Sequence, residues 1–164
     1  MVMANGSVLV VGGEGGSNGI PIPTLETLPT PPGGNTTVFL DFLQRTDPNN
    51  LYPFLMVLPH GGVFIIYYNE ARILNEVTFK TTKTFPIIPG AVTGGGGGRT
   101  YPLEGTAVIL PQHAPYTDPI EVLVCGGSTP GAGLALDNCV SIQPEVANAN
   151  WTIERMVKDS HYSL

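Results

Sequence analysis

Ser7-Val8-Leu9-Val10-Val11-Gly12-Gly13 and Glu121-Val122-Leu123-Val124-Cys125-Gly126-Gly127 are near copies of one another. Each is an apolar run, rich in β-branched residues, that leads straight into a glycine pair. Such a run describes a strand buried on both faces, and the glycines mark where the backbone turns tightly or approaches another segment closely. A stretch that recurs in this way suggests a repeat.

Working outward, Ala4-Asn5-Gly6 supplies a hairpin turn before the first run, because Asn-Gly readily takes φ > 0 geometry. Met1 to Met3 then read as a strand remnant. Glu14 to Thr37 is loop text around one strand at Ile22 to Leu28, and Val38 to Arg45 is a short element of mixed pattern. A second unit follows Asp47-Pro48-Asn49-Asn50. Its strands are Phe54 to Leu58, Val63 to Tyr68, Ala71 to Val77 and Thr81 to Ile88, with Pro59-His60-Gly61-Gly62 as the first turn. Gly90 to Gly98 reads as a surface loop, since ordering successive glycines costs backbone entropy. The third unit comprises Thr106 to Leu110, the 121–127 run, Cys139 to Gln143 and Trp151 to Met156.

The second strands of the three units stop at Gly12, Tyr67 and Gly126, at intervals of 55 and 59 residues. Four short strands per unit at that spacing describe blades of a kelch-type propeller, whose repeat is about 50 residues. The fold expected is therefore all-β, a partial kelch-type β-propeller of about two and a half four-stranded blades. It covers residues 1–156, with a polar C-terminal tail at 157–164. The middle unit departs from the pattern in having Tyr67-Tyr68 where the others have Gly-Gly. An aperiodic β-sandwich is the alternative architecture.

Composition narrows the function. With 164 residues the chain fits one domain. Charged residues are only 12%, and the net charge is -6 with seven scattered basic residues. That argues against nucleic acid, whose phosphates need Lys and Arg. No apolar run reaches the ~18 residues of a membrane span, and Met1 to Val11 lacks the pattern of a signal peptide. Sequons at Asn5, Asn35 and Asn150 would suit a secreted glycoprotein. Cys125 and Cys139 flank a loop containing Pro130, so they either bridge two strand ends or remain buried thiols.

Four motifs, in order, resemble the N-terminal propeller region of glyoxal oxidases, fungal and plant relatives of galactose oxidase. They are Asn5 to Gly13; Leu51-Tyr52-Pro53 with Leu58 to Ile65; Glu104 to Pro111; and Val122 to Ser128. The resemblance spans nearly all of Met1 to Met156. It implies an extracellular, seven-bladed kelch propeller with a mononuclear copper and a cysteine-linked tyrosine radical. Together these oxidise a small aldehyde or alcohol by two electrons and pass them to O2, making hydrogen peroxide.

Residue by residue, none of the family's copper or radical ligands is matched here. Counting back from Gly12 places the radical tyrosine before Met1, and the family's histidines correspond to positions past the end of this sequence. Arg99-Thr100-Tyr101 resembles the radical-bearing Arg-x-Tyr but continues into Pro102 and a long loop, so Tyr101 reads as a packed or loop tyrosine rather than a ligand. Ser160-His161-Tyr162-Ser163 carries the family's Tyr-His pair reversed, and neighbouring strand residues face opposite ways. His60 reads as an exposed turn residue, and His113 has no partner at ligand spacing. Of Tyr67 and Tyr68, one ring is expected between blades and the other on the opposite side. Gly15 aligns where galactose oxidase stacks a tryptophan over its radical, so this chain, like the glyoxal oxidases it resembles, lacks that shield. No catalytic or metal-binding residue and no cofactor is therefore assigned to this chain, and copper belongs to the full-length family. The expected function is that of an inactive fragment of a copper radical oxidase, prone to self-association through open blade edges. The alternative is a non-catalytic kelch-like binding module.

Overall fold

The computed structural model describes residues 1–30, 37–90, 97–131 and 133–155. Among them the chain forms β1 (Val8–Val11), β2 (Thr24–Leu28), β3 (Thr37–Phe39), α1 (Asp41–Arg45), β4 (Phe54–Val57) and β5 (Val63–Tyr67). There follow β6 (Glu70–Leu74), β7 (Thr81–Thr84), β8 (Gly105–Ile109), β9 (Val122–Gly126), β10 (Asn138–Ile142) and β11 (Thr152–Arg155). Each strand pairs antiparallel with its neighbour in sequence, giving sheets β1-β2-β3, β4-β5-β6-β7 and β8-β9-β10-β11. Met1 to Met3 run beside β1 through the bridge Val2↔Val8 and the bond from Leu9 N–H to Met1 O (2.8 Å). The first sheet thus has the beginnings of a fourth line.

The middle sheet explains the packing. Every residue of β5 is buried, and strand alternation sends its side chains to two different cores. Val63, Ile65 and Tyr67 join Leu9, Leu25, Phe42 and Leu43 of the first unit. Phe64 and Ile66 join Val122, Val124, Val140 and Trp151 of the third. The three sheets therefore stack face to face in chain order, as consecutive blades of a partial β-propeller whose ends do not close. Full burial of each such side chain contributes about 1.5–3 kcal/mol, so β5 outweighs any surface ion pair in holding the stack.

Several segments differ from their sequence reading, among them the strands expected at Ala71 to Val77 and Thr81 to Ile88, which end at Leu74 and Thr84. Val38 to Arg45 divides into a strand and a helical turn, because Phe42 and Leu43 turn inward against the first core, Phe42 lying 4.7 Å from the Tyr67 ring. Gly97 and Gly98, expected on the surface, are buried. Gly98 bridges Ser128, and a Cβ on Gly127 would stand 2.1 Å from the Gly98 carbonyl oxygen. Bare backbone is required there because two chain segments touch.

Cys125 and Cys139 face one another across β9 and β10 and form a disulfide, S–S 2.01 Å. Among the described residues no helix is long and apolar enough to cross a membrane.

Candidate functional site

Strand direction gives the stack two different ends. At one end lie the glycine-ended second strands, where neighbouring sheets are stitched by backbone hydrogen bonds. Gly13 N–H donates to Leu51 O (2.6 Å), Leu51 N–H to Tyr101 O (3.0 Å) and Arg99 N–H to Tyr68 O (2.8 Å). The Thr100 hydroxyl accepts from Tyr68 N–H (2.7 Å) and donates to Asn49 O (3.0 Å). A Cβ on Gly12 would meet Leu51 O at 2.7 Å, which is why the first glycine of that pair carries no side chain.

Arg99 anchors this end. Its side chain is 1% exposed, and its guanidinium donates to Gly126 O, Asn138 O, Pro89 O (2.9 Å) and Asn138 Oδ1 (2.6 Å). These acceptors come from the strap before the glycine run and from β9 and β10, so one fork joins segments far apart in sequence. Burial pushes its pKa down to about 10, which leaves it charged at neutral pH. Tyr101 is partly exposed, with its ring 5.1 Å from that of Tyr52. Tyr67 is fully buried; its hydroxyl donates to Glu70 Oε2 (2.9 Å) and accepts from Arg72 Nε (2.5 Å). The Tyr68 ring lies against Gly98, where a Cβ would meet it at 2.6 Å.

The hairpin turns lie at the opposite end. A groove of about 610 Å³ runs there between the second and third sheets, lined by His60, Gln112, Tyr116, Asp118 and Glu145 among others. Glu145 Oε1 accepts from His60 N–H (3.0 Å) and lies 3.1 Å from His60 Nδ1, while its Oε2 is buried with no hydrogen-bond partner. This cross-sheet contact and the anchoring role of Arg99 escaped the sequence reading. The glycines just before Arg99 were the available signal for the second.

The described histidines and the Tyr52–Tyr101 pair are thus separated by the length of the strands. His60 occupies the β4–β5 turn and His113 the exposed β8–β9 loop, whereas both tyrosines lie at the glycine end. Among the described residues no three His, Cys, Asp or Glu side chains converge on a common point. His60 and His113 therefore do not join Tyr52 and Tyr101 in one ligand set. His161 and Asn35 lie outside the described residues, as does the tail 157–164. Asn5 and Asn150 are both exposed.

Three stacked antiparallel sheets of an open propeller, stitched at their glycine ends, define the class of protein. Residues 1–161 match the family model described as glyoxal oxidase N-terminus, and the chain belongs to that family. It is 67% identical over 156 residues to a WSC domain-containing protein of Arthroderma benhamiae, a match covering 95% of this chain and 17% of that protein. It is 31% identical to aldehyde oxidase GLOX1 of Arabidopsis thaliana, covering 94% of this chain and 26% of the relative. It is likewise 31% identical to aldehyde oxidase GLOX of Vitis pseudoreticulata, covering 80% and 23%. The chain spans less than a third of the length of these curated relatives.

Proposed function

We propose that this chain supplies consecutive kelch-type blades to the wall of a secreted copper radical oxidase, and that the copper and radical ligands come from parts of the propeller outside it. The family match over residues 1–161, with relatives named aldehyde oxidases, carries this reading. In the reaction so assigned, a hydrated aldehyde loses two electrons and two protons to become a carboxylic acid. Oxygen takes up both and leaves as hydrogen peroxide. The chain's own part is architectural: Arg99, Gly98 and the Gly13–Leu51 contact hold the blade ends at the mouth in register, where the loops of a propeller shape its pocket.

The 164-residue chain, loaded with copper and given methylglyoxal, is expected to release no peroxide above the copper-only blank. A polypeptide carrying this segment within a propeller as long as its relatives' is expected to release it. Turnover by the chain alone overturns the architectural role; a silent complete propeller overturns the oxidase reading. The 610 Å³ groove favours a second reading, a non-catalytic binding module. That reading predicts a stably folded chain that takes up no copper.

A further inference from the structure

Two sequons whose asparagines the structure describes fall at the same end of the sheet stack. Asn5 occupies the turn leading into β1, on the side of Val8, which pairs with Leu28 rather than with the glycine end of the strand. Asn150 lies just before β11, beside Ser141, which pairs with Thr152. The β4–β5 turn bearing His60 is at this end too, because Val57 pairs with Val63. Among the described residues, the opposite end, with Gly13, Leu51, Tyr68, Tyr101 and Gly127, contains no sequon.

Both asparagines are exposed, Asn5 in a turn and Asn150 in the irregular segment just before β11. Asn5 is followed by Gly6 at φ +84°, and its Oδ1 accepts from Ser7 N–H (3.0 Å) and from the Ser7 hydroxyl (2.7 Å). The sequon hydroxyl is thus already turned toward the asparagine side chain. Asn150 Oδ1 accepts from Trp151 N–H (2.9 Å), and Thr152 is exposed. Beside Asn5, a cavity of about 130 Å³ is floored by Met3, Ala4, Glu76 and Val77, and Val77 is 76% exposed. A sugar attached at Asn5 would cover that apolar side chain, as surface glycans do for the faces they clothe.

We propose that Asn5 and Asn150 are N-glycosylated and that their glycans clothe the hairpin-turn end of the propeller, leaving the glycine end bare. The donor is an oligosaccharide linked to a lipid pyrophosphate. A bond forms between its anomeric carbon and Asn Nδ2, the anomeric C–O bond breaks, the lipid pyrophosphate leaves with the electron pair, and Nδ2 gives up one proton. Nothing is oxidised or reduced. The placement keeps bulky sugars away from the end where the blade-to-blade stitches lie.

The test is to secrete the chain from a eukaryotic host and measure its intact mass before and after enzymatic deglycosylation. Ser7→Ala and Thr152→Ala should each remove one glycan mass while leaving the asparagine in place, and Ser7→Thr should keep it. Hydrogen exchange, compared between the glycosylated and deglycosylated chain, should slow around 60–62, 75–79 and 143–151. It should be unchanged at 12–13, 51–52 and 98–103. A secreted chain bearing no glycan at Asn5 or at Asn150 overturns the assignment of that site. Glycan-dependent protection at the glycine end overturns the placement.

Discussion

Arg99 is the side chain on which the glycine end most depends. Among the described residues its guanidinium donates only to carbonyl oxygens, so there its charge is met by carbonyl dipoles rather than by a carboxylate. Arg99→Met would leave those acceptors buried and unpaired, at about 1–3 kcal/mol for each one that finds no water. We expect a loss of about 3 kcal/mol or more, read as a lower urea midpoint at unchanged slope. Arg99→Lys should recover only part of it, since an ammonium cannot fork between segments. An unaltered midpoint in Arg99→Met would show that the stitches hold without it. Tyr68 is the companion case: φ is +50°, where Gly13 has +105° and Gly127 +97°. A bulky residue in that region costs about 1–2 kcal/mol. The position is held by the bonds from Tyr68 N–H to Thr100 and from Arg99 N–H to Tyr68 O. The middle unit therefore shares only the second positive-φ position with its neighbours: Gly12 (+70°) and Gly126 (+68°) also have positive φ, and Tyr67 does not.

At the scale of elements, α1 shows how a helix of five residues survives. It is too short to persist by itself. Its Phe42 packs on Tyr67 with the Arg72 guanidinium 4.6 Å above the ring, and Arg45 grips Glu70 with two bonds of 2.7 and 2.8 Å. The Arg45 hydrogen bonds, opposed in part by burial and aided by the Tyr67 hydroxyl, hold the Glu70 carboxyl below its ordinary value of 4.5. With a folded pKa below the unfolded one, the stabilisation is fully present above that ordinary value. It is lost as the pH falls through the depressed one. Because the Arg45 side chain is 54% exposed, the effect should be about 1 kcal/mol or less. Melting curves between pH 6 and pH 3 should show a steeper acid loss in the parent chain than in Glu70→Gln. Equal slopes would remove Glu70 from the acid response.

Over the whole molecule, the decisive asymmetry is between the middle sheet and the outer two. The middle sheet is covered on both faces, whereas the outer face of the first presents Val8, Val10, Leu28 and Phe39, each at least 40% exposed. On the outer face of the third sheet, Val108 beside Leu123 is about half exposed. A contiguous apolar face like that of the first sheet seeks a partner sheet. The isolated chain is expected to self-associate at micromolar concentration, and Val10→Lys with Phe39→Lys should reduce the associated fraction severalfold in light scattering. A sharp, cooperative melt from a soluble monomer of the parent chain would contradict this.

Strand positions were legible in the sequence because their signals are local. Apolar runs closed by Gly-Gly located β1 and β9 to within a residue, and the β-branched and aromatic run from Val63 located β5. The family resemblance was carried by the same punctuation. Burial of Gly97 and Gly98 was not legible, because it depends on Ser128 and Gly127 arriving from about 30 residues away. Nor was the division of Val38 to Arg45, which follows from the space left beneath Tyr67. The pairing of Cys125 with Cys139 stayed open until the β9–β10 register set them opposite one another. His60 met Glu145, and Arg99 its carbonyl cage, only once the sheets were stacked. Local chemistry by itself determined where most strands lie and, at the Gly-Gly pairs, where β1 and β9 stop. The tertiary structure decided which side chains share a core, an end or a hydrogen bond, since those pairings join residues whose separation along the chain carries no local signal.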